Sequence, residues 1–442
     1  MKIGLSDHFT YQKLLRFTFP SIVMMIFTSI YSVGDGFFVS NFVGKTSFAA
    51  VNFIMPVLMI LGALGFMFGT GGSALVAKSL GEGDGVRAKR IFSLLIYVSF
   101  LLGVGISALG ILFVRPIAMR MGAEGELLEN AVLYGRIILA ANPFFMLQME
   151  FQSFFVTAEK PKLGLAVTVA SGVTNMVLDA LLVGVFSFGL VGAALATAFS
   201  QVVGGLVPVL YFARKNSSLL SLTGTKFEGR VLAKTCVNGS SELMSNISMS
   251  LVGMLYNLQL LKYAGEDGVA AYGVLMYVGF IFVSTFIGYS IGTAPVVGYH
   301  DGAQNYAELK SLLRKSVRLI GLFSVGMVLL ALFLSAPFSK LFVGYDDELL
   351  QLTKRAFYVY SFSFLFTGYA IFTSGFFTAL NDGVTSAIIS FLRTVLFQIS
   401  AVLLLPLIWG IDGVWWSVVI AEMLAVSVSL VFLLIKRKKY HY

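Results

Sequence analysis

The chain has 442 residues, 57% of them apolar and 12% charged, with 41 Phe and 45 Gly, whereas an ordinary soluble domain is about 45–50% apolar and about 25% charged. That composition excludes a soluble enzyme and a disordered chain, because long uncharged apolar stretches need lipid on their outer face. With one cysteine, Cys236, a disulfide scaffold is excluded too. The segment 97–113 (YVSFLLGVGISALGILF) is apolar all round, unlike a barrel strand, which alternates polar and apolar residues over about ten positions. The fold class expected is an all-α integral membrane protein.

In chain order, the stretch MKIGLSDHFTYQKLLRF is polar and basic and lacks the apolar core of a signal peptide, so the first apolar run reads as structural. Runs of about 20 apolar residues bounded by charged or Gly/Pro-rich turns predict twelve helices. They lie near 14–39, 51–78, 91–114, 130–157, 163–186, 190–213, 231–261, 269–299, 316–336, 353–379, 385–408 and 412–435. With a cytoplasmic N-terminus, most of the 31 basic residues fall inside, among them Lys13, Arg16, Lys78, Arg87, Lys89, Arg90, Lys160, Lys162, Arg314, Lys315 and Lys436 to Lys439. Acidic clusters (Glu124, Glu126, Glu129; Asp346, Asp347, Glu348) collect outside. The positive-inside rule then puts both termini in the cytoplasm. The formal net charge of +9 is read as topology and attraction to anionic membrane lipid, with no nucleic acid partner. The location expected is the cell membrane of a prokaryote, crossed many times.

The halves repeat. At an offset of 221 residues Gly44 matches Gly265, Gly71 matches Gly292, Gly81 matches Gly302, Pro116 matches Pro337, Gly189 matches Gly410 and Gly192 matches Gly413. One shared register over half the chain means a duplicated unit, and six helices per unit make it a parallel repeat about an axis along the membrane normal. The domains expected are a first six-helix lobe over 1–213, a cytoplasmic linker over 214–230 (RKNSSLLSLTGTKFEGR) and a second lobe over 231–442. Two similar bundles facing each other across a cleft can rock about a midplane site, which is a transporter plan.

A charge at the bilayer centre costs at least about 2.5–3.5 kcal/mol on insertion scales, so each ionisable residue there is a functional candidate. These are Asp35, Arg136, Glu150 and Asp179 in the first half and Glu242, Arg393 and Glu422 in the second. Asp35 sits between Gly34 and Gly36, and small neighbours admit a second backbone. Asn175 and Asp179, four residues apart, share a helix face, and Thr197 could face them after a tight turn. Two carboxylates, an amide oxygen and a hydroxyl are hard ligands for Na+ or, if burial raises a carboxyl, a proton acceptor. The same residues would equally serve to hydrogen-bond helices together.

Four stretches carry a family resemblance: Pro20 and Asp35 in the first helix, PKLGLAVTVASGVTNMVLDALLV with Asn175 and Asp179, GLVGAALATAFSQ with Thr197, and GGSALVAKSLGEGD. With them, and over its whole length, the chain resembles the multidrug and toxic compound extrusion (MATE) family. The resemblance implies a cation or proton site at Asp35, Asn175, Asp179 and Thr197, and a first helix that bends at Pro20 as the site changes state. It implies no other metal and no cofactor. Glu242 could match an acidic residue of some family branches, although its neighbours depart from their motif, and the tenth helix (YSFSFLFTGYAIFTSGFFTAL) lacks the aspartate that some branches place there. Met55, Met59, Glu242, Tyr256, Met276 and Tyr277 are candidates for a substrate cleft by their place in the helices expected to line it, where aromatic and thioether groups suit flat hydrophobic cations. Arg393 and Glu422 read as a packing ion pair.

No HExxH, Walker A, CxxC or nucleophile-elbow motif occurs, so no enzymatic chemistry is expected. The function expected is a secondary antiporter that exports amphipathic, cationic small organic molecules in exchange for H+ or Na+. The alternative is a lipid-linked oligosaccharide flippase of the related superfamily, which would need cationic residues in the cleft; Arg136 and Arg393 alone are candidates. A monomer is the simplest state.

Overall fold

In lipid every backbone N–H and C=O has to bond within its own segment, which leaves helices as the way for these apolar runs to cross. The computed structural model describes residues 3–344 and 346–442, and of residues 32–37, 40, 41 and 45 the backbone alone. The first lobe holds α1 (Tyr11–Phe38), α2 (Lys45–Gly81), α3 (Gly85–Arg120), α4 (Gly125–Thr157), α5 (Pro161–Leu178) and α6 (Gly189–Ala213). A helix over Gly229–Gly302 is 74 residues long and breaks at Gly265 (φ 62°, ψ −151°), giving α7 (229–264) and α8 (266–302). There follow α9 (Tyr306–Val343) and α10, in two pieces, Asp347–Ser361 and Phe364–Ala379, bent by 46°. Last come α11 (Gly383–Phe391, continued by Gln398–Trp409) and α12 (Ile411–Tyr440). Among the described residues ten continuous helices are long and apolar enough to span a membrane; the bent α10 and the break at Gly265 bring the crossings to twelve.

The helices overrun the predicted boundaries at most ends. For α9 the run predicted over 316–336 extends to Tyr306–Val343, because Lys310, Arg314 and Lys315 continue the helix beyond the hydrocarbon. The repeat is visible in the backbone. Gly44 and Gly265 both have positive φ, as do Gly189 and Gly410, at 58° and 60°. These are left-handed turns between helices, open at little cost only to a residue without a side chain. At the same offset Asp84 caps α3, accepting from the Arg87 N–H at 2.9 Å, and Asn305 caps α9, accepting from the Glu308 N–H at 3.2 Å.

The lobes meet where α1 and α2 cross α7 and α8. A Cβ on Gly81 would stand 2.0 Å from the Tyr299 carbonyl oxygen, and one on Gly302 2.2 Å from that of Lys78; with 221 residues between Lys78 and Tyr299, the two contacts are images of each other. A Cβ on Gly239 would stand as close to the Met67 carbonyl oxygen and one on Gly71 to that of Thr235, while one on Gly288 would meet the Ser21–Ile22 backbone at 2.6 Å. Lys78 Nζ bonds Asp301 at 2.8 Å, and Asn238 Nδ2 donates to the carbonyls of Gly71 and Thr378 at 3.2 and 2.9 Å. With the orientation given by the positive-inside rule, these contacts lie toward the cytoplasmic ends of the helices, where the lobes pack directly on each other.

The linker and termini are more built than the sequence suggests. Leu220 is fully buried in the first lobe, and Thr223 accepts Ser93 into its turn, its N–H donating to Ser93 Oγ at 2.8 Å. Residues 3–10 bridge the lobes: Leu5 N–H donates to Glu159 at 2.8 Å, while Phe9 N–H and His8 Nδ1 reach Glu308 at 2.9 and 2.6 Å. Asp382, in the turn before α11, accepts from Tyr440 at 2.9 Å and pairs with Lys436 at 3.1 Å. Burial pushes its carboxyl up, but Lys436, Tyr440 and Thr385 outweigh burial and hold it below the ordinary carboxylate value.

Two outcomes follow for stability. Gly239→Val drives a branched side chain into the Met67 carbonyl and costs about 1–3 kcal/mol, the usual toll of overpacking, measured as a lower thermal midpoint in detergent. Because the folded Asp382 pKa is depressed, its contribution is fully present above the ordinary carboxylate value and is lost as pH falls below that value and through the lower folded one. Asp382→Asn therefore lowers the midpoint at about pH 7, and its difference from wild type narrows progressively as pH is taken below about 4.

Candidate functional site

Within the first lobe, α5 carries a polar stripe of Thr168, Ser171, Asn175 and Asp179, spaced by three or four residues so that one face holds all of them. All four are buried, Asn175 at 1% and Asp179 at 0% exposure. Small residues let α1 come close: a Cβ on Gly172 would stand 2.5 Å from the Phe27 ring. Asp179 begins a π-helical segment, Asp179–Val185, where the hydrogen-bond ladder steps out by one residue, a feature frequent at functional sites. Asn175 Nδ2 donates to Thr197 Oγ1 of α6 at 3.5 Å, so α5 and α6 do present these groups to each other. The Asp35 side chain lies outside the described residues. Pro20 is buried in α1, which passes through it unbroken.

Asn175 and Thr197 line a cavity of about 90 Å³ whose other walls include Tyr31, Met55, Met59, Tyr134, Gln148 and Gln201. The cavity has an apolar side of thioethers and rings and a polar side of amides and hydroxyls. Asn175 Oδ1 and Gln201 Oε1 are buried and accept no hydrogen bond. Two buried acceptors without donors are a standing cost of about 1–3 kcal/mol each, relieved by a cation or a proton-bearing water. Gln148, Gln201 and Tyr134 escaped the sequence reading because neutral side chains raise no alarm in a search for charges; the i, i+3, i+4 recurrence of polar residues along α5 was the available signal.

The second-lobe candidates separate. Tyr256 is 2% exposed, donates to Gln398 Oε1 at 3.1 Å and stacks on Tyr272 at 5.2 Å. It is a core residue of its own lobe and not a cleft wall, because α7 turns that face toward α8 and α11. Met276 packs at the margin of the same core, whereas Tyr277 is 48% exposed, and Glu242 is half-buried. Arg136, expected inside, is exposed on α4 near the outer acidic cluster. Glu150 is fully buried, with its backbone against Gly69. Among the described residues no cluster of His, Cys, Asp and Glu could hold a metal ion.

Arg393 Nε donates to both oxygens of Glu422, at 3.0 and 2.9 Å. Arg393 begins the second residue of a π-helical segment, Leu392–Phe397, which swings it toward α12. Breaking one half of such a pair leaves a buried charge alone, at about 3–5 kcal/mol, while replacing both by apolar residues costs far less. Glu422→Gln should therefore lower the thermal midpoint sharply, and Arg393→Met with Glu422→Leu should restore most of it.

Comparison with known proteins agrees with this geometry. The MatE family model matches residues 20–181 and 243–403, one stretch in each half. Multidrug export protein MepA of Staphylococcus saprophyticus is 25% identical over 439 residues, covering 97% of this chain and 94% of its own. The protein of the same name from Staphylococcus aureus is 25% identical over 431 residues, with 97% and 94% covered. A solved structure described as the outward-facing conformation of a multidrug resistance MATE family transporter of the MOP superfamily superposes with a TM-score of 0.93 at 24% identity, covering 98% of this chain and 97% of that one.

Proposed function

This chain belongs to the MatE family, and from that premise we infer that it does what its relatives are named for. It is a multidrug efflux transporter of the plasma membrane and not an enzyme. Its substrates are small organic molecules, and we assign them to the amphipathic, cationic class, exchanged for inward H+ or Na+. The observation that carries this reading is the first-lobe cavity, where Met55, Met59 and Tyr31 face Asn175, Thr197 and Gln201 and Asp179 is buried beside them.

The chemistry is competition between two positive charges for one acidic lobe. With the cytoplasmic ends closed, the cavity is reached from outside, where the coupling ion is abundant. Its arrival at Asp179 and Asp35 neutralises the carboxylates that a cationic substrate needs, and the substrate leaves. An ion can shift the lobes only by its differential affinity for the two arrangements, so the carboxylates have to be solvated differently in each. The flippase alternative is not favoured: an anionic pyrophosphate needs free cations, Arg393 is engaged by Glu422, and the described walls of the first-lobe cavity hold no Lys or Arg.

The test is transport of a fluorescent lipophilic cation by proteoliposomes under an imposed H+ or Na+ gradient. Asp35→Asn and Asp179→Asn, each correctly folded, should lose about tenfold or more of gradient-driven transport. Undiminished transport in both would overturn the assignment of the site.

A further inference from the structure

A second, much smaller pocket of about 10 Å³, room for about one water, lies on the cytoplasmic side of the first-lobe cavity, among Met24, Phe151, Gln152, Phe155, Thr168 and Gly204. The order is fixed by chain direction: α4 and α6 run inward and α5 outward, so Gln152, Phe155, Thr168 and Gly204 lie nearer the cytoplasm than Tyr134, Asn175 and Thr197. The two spaces share one wall residue, Gln148. Gln148 Nε2 donates to Ser171 Oγ at 3.1 Å, and Ser171 Oγ donates to the Ser200 carbonyl at 2.7 Å. Gly204 has no side chain where Gln148 passes; a Cβ there would stand 2.5 Å from its Cδ.

The polar groups do not stop at this septum. The α5 stripe continues through Ser171 to Thr168, and on α4 Gln148 is followed one turn on by Gln152. Gln152 is 3% exposed, and its Oε1 accepts no hydrogen bond. Together with Asn175 Oδ1 and Gln201 Oε1 on the outer side, it completes a file of buried amide oxygens that offer acceptance and no positive charge. An apolar lobe in lipid has no structural use for such a file, since each member costs free energy where it stands. A proton carried by water, or a desolvated cation moving from one to the next, satisfies them in turn.

We infer that the coupling ion leaves for the cytoplasm through the first lobe itself, from the Asn175 and Asp179 region past Gln148 into the pocket at Gln152 and Thr168, and not through the cleft between the lobes that the substrate uses. Gln148, held by Ser171, is the inner gate, and Phe155, within a turn of the end of α4, is the floor. Met24 closes the side formed by α1. It stands one turn from Pro20, where a backbone hydrogen bond is missing and the helix is most easily bent. This inference rests on the ion site proposed above and adds its exit.

The residues for the test are Gln152 and Thr168, which touch the inner pocket and not the outer cavity. In proteoliposomes, Gln152→Leu and Thr168→Val should each lose about tenfold or more of transport driven by whichever gradient, H+ or Na+, drives the wild type. The equilibrium Kd for the fluorescent cation, and its gradient-free exchange across the membrane, should stay within about twofold. A thermal midpoint near the wild-type value certifies the fold. Coupled transport within twofold of wild type in both variants overturns the exit route; if Asp35→Asn and Asp179→Asn still abolish coupling, the site stands and the route alone falls. Accessibility gives a second, independent reading. In a Cys236→Ser background, Thr168→Cys should react with a small membrane-impermeant thiosulfonate applied from the cytoplasmic side during turnover, and absence of reaction in every gradient condition overturns the route.

Discussion

The approach of two backbones at the cytoplasmic crossing governs the rest of the molecule. Gly81 against Tyr299 and Gly302 against Lys78 put helices of opposite lobes in contact with no side chain between them, and Gly71, Gly239 and Gly288 extend the contact toward the membrane centre. In lipid there is no hydrophobic gain from pressing helices together, so association relies on close packing and on polar bonds. Small residues make the first available, and Lys78–Asp301 and Asn238 make the second. Such a contact is strong while the surfaces mate and is lost over a small displacement, because dispersion falls off within an ångström. That is the behaviour needed of a seal that has to open: two rigid lobes rather than a deforming whole.

Much of this plan was legible in the sequence, because each feature has a local physical cause. Twenty apolar residues cannot cross lipid except as a helix, so the twelve runs were visible, and the 221-residue register emerged because turns that require positive φ fix glycine at the same place in both halves. The helix ends were less legible. Charged residues at 310–318 continue α9 in the interface, where hydropathy no longer marks the helix. The tertiary position of a polar residue was the least legible. Tyr256 and Arg136 sit on helices of the expected kind, yet the rotation of α7 and α4 about their own axes sends one into the core and the other outside. A one-residue slip in that rotation, about 100°, leaves no trace in composition. The π-helical segments at Asp179 and Arg393 are such slips, and the second of them brings Arg393 onto Glu422.

The halves began as copies and differ where chemistry is concentrated. In the second lobe Arg393 holds Glu422 and Tyr256 finds Gln398, while Asn238 Oδ1 and Asn381 Oδ1, which accept no hydrogen bond, sit on side chains whose amide nitrogens reach across to carbonyls of the first lobe. In the first lobe Asn175, Gln201 and Gln152 keep oxygens without donors in an environment that penalises them. The matched pair contributes fixed geometry, and the unmatched oxygens contribute an appetite for positive charge. The difference between the copies is therefore one of placement: the first lobe gathers its donor-less amide oxygens around two pockets that share Gln148.

That asymmetry also bears on how substrate and ion avoid cancelling each other. Were both to travel through the cleft between the lobes, the ion would have to wait for the same opening that readmits the substrate, and the two fluxes would be separated only by affinity. The cavity wall at Gln148 suggests a physical partition instead, since a bulky amphipathic cation cannot pass between an amide and a glycine, while a proton or a single desolvated ion can. Size then does what affinity alone does poorly. On the proposed route the substrate stays on the side of the septum lined by Met55, Met59 and Tyr31 while the ion crosses it, so that the ion gradient sets the direction of exchange.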